Sequence, residues 1–194
     1  MPTTPSTTED PCSPSTPLLL QRAKAGDTTA FQALYECYAR ALFTFFLGYT
    51  ADERLAEEMV NDTFLRVWQA LGRYREEGRF RGWLFRIARN IATDRHRRRQ
   101  RRPPEVLVDE DTIESLTYPT QLANELIARQ QALDDTYEAL QHLRSDYRTV
   151  LLLRFIEGLS VRETARAMER SEGAVRVLQF RALKALREHL KPDL

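Results

Sequence analysis

The stretch from Phe80 to Arg102, FRGWLFRIARNIATDRHRRRQRR, constrains the fold of this chain more than any other part of the sequence. It holds nine arginines and a single acid, Asp94. At about 100° per residue, as in an α-helix, its apolar side chains fall on one stripe. That stripe consists of Phe80, Trp83, Leu84, Ile87 and Ile91. The pattern predicts an amphipathic helix that is anchored in a core and carries an almost purely cationic outer face.

The outer face of this predicted helix has the side chains that nucleic acids bind. Arg86, Arg89, Thr93 and Arg97 lie opposite the apolar stripe, and Asn90 lies on the flank. Arginine pairs with phosphates, asparagine can read base edges, and aromatic rings can stack on unpaired bases. A core helix with a solvated charged face is the alternative. The nearly single sign of the charge favours nucleic acid.

Charge and composition narrow the classes of protein further. The formal net charge is only +1, because acidic clusters over 52–62 and 105–114 offset the basic helix. This distribution suggests separate acidic surfaces for other partners. Cys12 and Cys37 form neither a C-x-x-C motif nor a framework of several bridges, so a reducing compartment fits best. No apolar run approaches about 18 residues, and the first residues lack the pattern of a signal peptide. A cytoplasmic protein without membrane insertion is expected.

The rest of the chain predicts an all-α fold of two small helical domains joined by a flexible linker. Asp27 is a helix N-cap, Gly48 and the segment 50–52 break the pattern, and a second helix runs from Leu55 to Trp68. Pro103 and Pro104 end the basic helix. The expected division is a disordered tail, a first domain, an acidic linker and a second domain, over 1–17, 18–102, 103–120 and 121–194.

The second domain carries a helix-turn-helix pattern. Ser160 and Glu163 form a capping box, and Ser171 caps another helix after a break of about three residues. A further helix is expected to start at a Ser145 cap and to end at Gly158. The last helix has a buried stripe of Val175, Leu178, Ala182 and Leu186, and its outward side chains are Arg176, Val177, Phe180 and Arg181. An ordinary helical hairpin is the alternative.

Taken together, these blocks resemble the sigma-70 family, in its small extracytoplasmic-function (ECF) group. The run EEMVNDTFLRVW at 57–68 is similar to the polymerase-binding helix of the family, and GWLFRIARNIATDRHRR at 82–98 to its promoter-melting segment. The run from Asp146 to Arg187 resembles the helix-turn-helix that reads the minus-35 element. Two positions depart from the family, since Asn61 stands where glutamine is more usual and Glu169 where glycine is usual.

The resemblance implies partners and site residues. The partners are core RNA polymerase, promoter DNA and an anti-sigma factor that no residue of the chain identifies. Polymerase contacts are expected at Glu58, Asn61, Asp62, Leu65 and Trp68. Minus-ten contacts are expected at Tyr74, Arg86, Arg89, Asn90, Arg97 and Arg98, and minus-35 contacts at Ser171, Glu172, Arg176, Val177, Phe180 and Arg181. A plain core role for Trp68 and a merely solvating linker are the alternatives.

Functions of other classes fit the sequence less well. A stand-alone helix-turn-helix regulator would leave the block at 55–98 without a role. An enzyme acting on nucleic acid would need paired carboxylates in a metal motif, a catalytic triad or a phosphate-binding glycine loop, none of which the sequence shows. No catalytic residue, metal, cofactor or small-molecule substrate is therefore expected. The run RHRRRQRR alone could also be a generic polyanion patch.

Overall fold

The structure, a computed structural model, describes residues 15–75, 79–101 and 136–190. Within these ranges the secondary structure is helical and contains no strand, which confirms the all-α prediction. The N-terminal half consists of α1 Thr16–Lys24, α2 Thr28–Thr50, α3 Glu53–Leu71 and α4 Phe80–Arg101. The C-terminal half consists of α5, described over 136–142, then α6 Ser145–Leu151 with a π-helical turn Leu152–Ile156, α7 Val161–Met168 and α8 Glu172–His189. Residues 16 and 17, which were expected in the disordered tail, belong to α1, and the rest of the expected tail up to residue 14 and the expected linker lie outside the described residues.

The start of α2 follows the predicted capping. The Asp27 carboxylate accepts hydrogen bonds from the backbone N–H groups of Thr29 and Ala30, and α2 begins at the next residue. The predicted break at Gly48 is wrong, because α2 continues to Thr50. The chain turns instead at Ala51, whose φ of 53° is left-handed.

The core of the N-terminal half is built from one face of each long helix. Phe45 of α2 makes edge contacts with Phe46 and with Phe85 of α4, at ring-centroid distances of 5.4 and 5.6 Å. The predicted stripe of α4 faces this core, with Phe80, Leu84 and Ile91 buried and Trp83 and Ile87 partly buried. Burial of these side chains holds α4 in place while its cationic side stays outside.

The C-terminal half contains the predicted helix-turn-helix. The Ser160 hydroxyl and the Glu163 carboxylate form the capping box of α7, and the Ser171 hydroxyl accepts a hydrogen bond from the N–H of Ala174 at the start of α8. The predicted cap at Ser145 is wrong. Arg144 takes the N-cap position, and the Ser145 hydroxyl bonds to the Tyr49 hydroxyl at 2.8 Å.

The two halves pack against each other through polar bonds and a close helix approach. The Tyr49 hydroxyl hydrogen-bonds with the Thr149 hydroxyl at 2.6 Å, and the buried Arg148 guanidinium donates to the Tyr49 carbonyl at 2.8 Å. A Cβ added to Gly48 would lie 2.3 Å from Leu152 Cδ2. The glycine at position 48 therefore permits the close approach of the neighbouring half, and it does not break α2.

A second contact between the halves buries charged groups. Arg81 of α4 is buried and donates to the backbone carbonyl of Glu157. Burial raises the pKa of the Glu157 carboxyl to about 8, although the positive charge of Arg81 acts to lower it. At neutral pH, Glu157 therefore holds its proton in this arrangement.

One further observation bears on the prediction that the chain does not insert into a membrane. None of the helices in the described ranges has the length and apolar character that crossing a bilayer requires.

Candidate nucleic-acid interface

The cationic face of α4 is partly open and partly covered by the C-terminal half. Asn90, Arg97 and Arg98 are exposed, as the sequence predicts for groups that meet DNA. Arg86 and Arg89 lie nearer the C-terminal half, and the Arg89 side chain is only 18% exposed. The predicted minus-ten residues thus fall into an open group and a covered group on the same helix.

A cleft of about 350 Å³ lies between the start of α4 and the helix-turn-helix. Tyr74 lines it, but this residue is 9% exposed and its ring lies 4.5 Å from the Trp83 ring, centroid to centroid. Trp83 is partly buried and also borders the cleft. Arginines from both halves complete the lining, namely Arg75, Arg79, Arg86 and Arg166. The cleft joins aromatic surface to positive charge, the combination that holds single-stranded nucleic acid.

The outer side of α8 presents the predicted minus-35 residues to solvent. Val177 and Phe180 are 51% and 72% exposed, and Arg176 and Arg181 are exposed beside them. Of the predicted stripe, Val175 and Ala182 are fully buried and Leu178 and Leu186 are partly buried. The predicted stripe therefore faces the core, although only two of its four residues are fully buried. Ser171 and Glu172 lie exposed at the N-terminal end of α8. An α-helix with this open side fits the major groove of DNA.

A separate surface on α3 gathers the residues expected to meet polymerase. Leu65 and Trp68 are 57% and 42% exposed, and the Trp68 ring contacts Phe31 edge-on at 4.8 Å. Trp68 is therefore a surface residue rather than the plain core residue of the alternative. Asn61 and Asp62 are exposed on the same side of the helix. Glu58 is partly buried and forms ion pairs with Arg54 and Arg95, at 3.2 and 3.0 Å.

Sequence reasoning missed several residues of these surfaces. Trp83 was assigned only to the apolar stripe, and nothing in the sequence connects Arg166 with the start of α4. Glu169 did give a signal, since it stands where glycine is usual. Its backbone is left-handed, with φ 54° and ψ 45°, and its carboxylate oxygens lie 3.6 Å from Arg86 and 3.9 Å from Arg89.

Comparison with known proteins identifies the class. The family model Sigma-70 region 2 matches residues 34–102, and the model Sigma-70, region 4, matches residues 133–186. The chain belongs to the sigma-70 family and contains a region 2 domain and a region 4 domain.

Relatives place the chain in one group of that family. It is 33% identical to the RNA polymerase sigma-H factor of Pseudomonas aeruginosa, over 91% of this chain and 94% of that one. It is 32% identical to the ECF RNA polymerase sigma factor SigX of Bacillus subtilis, over 83% of this chain and 84% of that one. It is 35% identical to the ECF sigma factor BldN of Streptomyces coelicolor, where it spans 66% of the relative's length. The chain is an ECF sigma factor, the class of protein that directs RNA polymerase to promoters.

Solved structures agree with this assignment. The structure of CnrH in complex with the cytosolic domain of CnrY aligns with a TM-score of 0.66 and 26% identity, over 89% of this chain and 95% of that one. The sigma factor RpoE of Bartonella quintana, in complex with the anti-sigma factor NepR, aligns with a TM-score of 0.63 and 25% identity, over 84% and 98%.

Proposed function

We propose that this ECF sigma factor acts in the cytoplasm, docks on core RNA polymerase through α3, opens the minus-ten element with α4 and reads the minus-35 element with α8. The single observation that carries the proposal is that α4 and α8, on separate halves, each present exposed arginines suited to DNA. Beside them, α3 exposes the apolar side chains of Leu65 and Trp68, here called the α3 row. The proposed division of labour is residues 18–102 for polymerase and minus-ten contacts, 103–120 as linker and 121–194 for minus-35 contacts. The protein performs no catalytic step of its own.

The α3 surface supports the polymerase contact because it leaves large apolar side chains in water. Leu65 and Trp68 lie one helical turn apart and are flanked by Asn61 and Asp62. Exposed aromatic anchors with polar neighbours are typical of the centre of a protein interface. A groove of about 350 Å³ between α2 and α3 continues this surface and is lined by Tyr35, Ala39, Arg40, Phe43, Glu57, Val60 and Asn61.

The α4 surface supports promoter opening on energetic grounds. Extruding a base costs a few kcal/mol, and stacking it on an aromatic ring returns about 1–3 kcal/mol. One captured base therefore roughly balances its own extrusion. Phosphate contacts from the α4 arginines supply the surplus, and Asn90 is placed to reach a base edge. Tyr74 can serve as a stacking platform only if its ring leaves the contact with Trp83.

The α8 surface supports sequence reading in duplex DNA. A bidentate arginine–guanine contact is worth about 1–3 kcal/mol of discrimination, and Arg176 and Arg181 both have room to make one. Val177 and Phe180 add apolar groups that can contact thymine methyls. Ser171 and Glu172 stand at the N-terminal end of the helix, where the Ser171 hydroxyl can bind a backbone phosphate and the Glu172 carboxylate can accept from the amino group of a cytosine.

An anti-sigma factor is a proposed third partner. The solved sigma factors that this chain resembles are bound by CnrY and by the anti-sigma factor NepR. The exposed α3 row is a surface that such a partner could cover, and a partner bound there would exclude polymerase.

The polymerase contact can be tested with matched surface variants. Replacing both Leu65 and Trp68 by alanine is expected to weaken binding to core polymerase at least about 30-fold, because anchors of this kind contribute 2 kcal/mol or more when truncated. Leu18→Ala is the control, since Leu18 is 59% exposed on α1 and outside the proposed interface. Equal polymerase affinity of wild type, control and double variant, with all three folded by circular dichroism, would contradict the proposal.

A further inference from the structure

Glu169 occupies an unfavourable backbone position. It is the C-cap of α7, and its left-handed φ of 54° costs a non-glycine residue about 1 kcal/mol. Glycine would adopt the same turn without that cost. Because glutamate occupies this position in spite of the backbone strain, its side chain is expected to have a function there.

The Glu169 side chain lies against the covered part of the α4 arginine face. One carboxylate oxygen is 3.6 Å from Arg86 and the other is 3.9 Å from Arg89. Neither pair is close enough for a hydrogen bond, so the contact is electrostatic, with one anion facing two guanidinium groups where a phosphate could stand. Arg86 and Arg89 are also the α4 arginines for which a DNA phosphate contact is proposed above.

We propose that Glu169 is an intramolecular phosphate mimic that masks the Arg86 and Arg89 part of the promoter-melting face of α4 until the two halves separate. The inference rests on the proposed DNA role of α4. It concerns these two arginines alone, because the rest of the α4 face, the outer side of α8 and the side chains of Leu65 and Trp68 stay exposed in the same arrangement. The free protein can therefore meet polymerase and minus-35 DNA while Arg86 and Arg89 are paired with Glu169.

The packed arrangement cannot itself be the promoter-bound one. Elements centred about 25 base pairs apart are separated by about 85 Å along B-form DNA, at about 3.4 Å per base pair. A compact chain of 194 residues has a radius of gyration of only about 16 Å. Binding both elements requires α7 to leave α4, and the Glu169 contact breaks at that step.

A substitution at Gly48 is expected to separate the two halves without changing any charged residue. Alanine is about 1 kcal/mol better than glycine inside a helix, so Gly48→Ala favours α2 itself. Its Cβ would nevertheless stand 2.3 Å from Cδ2 and 3.3 Å from Cγ of Leu152, which is fully buried. The variant should therefore weaken docking of the C-terminal half while the N-terminal helices stay formed.

The test is equilibrium binding of the full chain to a fluorescein-labelled single-stranded DNA of random sequence, which reports phosphate contacts. Glu169→Gln and Glu169→Gly are expected to tighten binding about three- to tenfold, the combined worth of two partly exposed ion pairs. Gly48→Ala should tighten it in the same way. Glu188→Gln, which removes an exposed carboxylate of α8, is the control for net charge and should leave affinity unchanged.

Variants of the two arginines show whether a negative result refutes masking alone or also the DNA role of α4. In the otherwise wild-type chain, Arg86→Ala with Arg89→Ala should abolish the effect of Glu169→Gln. In the Gly48→Ala background, where the face is unmasked, the same arginine pair should weaken binding. If the arginine variants weaken binding but neither Glu169 variant tightens it, masking is refuted and the DNA role of α4 stands. If the arginine variants have no effect in that background, the DNA role fails and masking fails with it.

Discussion

Replacing Glu157 by glutamine is expected to stabilise this protein at neutral pH. Glu157 is buried where the two halves meet, and that burial raises the pKa of its carboxyl to about 8. The charge of Arg81 acts to lower this pKa, and the neighbouring phenol of Tyr137 is neutral, since burial and Glu157 raise the pKa of Tyr137. Glutamine keeps the shape and has no proton to lose.

The size of the effect follows from proton linkage. Between the unfolded value of about 4.5 and the folded value of about 8, the folded protein holds a proton that the unfolded chain releases. The free energy of unfolding contributed by this group therefore falls as pH rises through that window. Each pH unit is worth about 1.4 kcal/mol, so the variant should gain on the order of 3 kcal/mol over wild type at pH 7. The gain should level off above about pH 8.

The measurement is urea unfolding of wild type and Glu157→Gln at several values between about pH 5 and pH 8, followed by circular dichroism. The difference in unfolding free energy should grow steadily with pH. Glu138→Gln, which alters an exposed carboxylate on α5, is the control and should show no such trend. A difference that is constant with pH, or a glutamine variant that is less stable at pH 7, would mean that Glu157 is ionised and held by Arg81, and the reasoning would be wrong.

Four other variants separate binding from folding. Arg176→Ala and Arg181→Ala should weaken binding to minus-35 duplex by about 1–3 kcal/mol with unchanged melting temperature, and a lowered melting temperature with unchanged affinity would make them structural residues. Asn90→Ala should keep polymerase affinity but reduce permanganate reactivity of minus-ten thymines, and an equal loss of polymerase binding would show that it supports the fold. Ser160→Ala should cost about 1 kcal/mol of thermal stability through loss of the capping box, and no change in a melting curve would show that the cap is dispensable.

Local signals predicted most of the elements correctly. The caps at Asp27, Ser160 and Ser171 lie next to the helices that they start, so their chemistry can be read without knowing the fold. The stripes of α4 and α8 were predictable for the same reason, because helical spacing alone decides which side chains share a face.

Contacts between the halves could not be predicted in this way. Tyr49 and Thr149 are 100 residues apart, and Arg81 and the Glu157 carbonyl are 76 apart, so no periodic pattern connects them. Gly48 was predicted to break the helix because the sequence does not show that Leu152, from the other half, approaches it closely. The low exposure of the Arg89 side chain could not be predicted either, because its neighbour Glu169 belongs to the other half.

Transcription in a purified system tests the central claim most directly. Core RNA polymerase is combined with the full chain and a library of genomic fragments, and the 5′ ends of the run-off transcripts are sequenced. The account predicts start sites that appear only when the protein is added and that share two upstream elements at a constant spacing. Start sites that do not depend on the protein, or that share no pair of upstream elements, would contradict it.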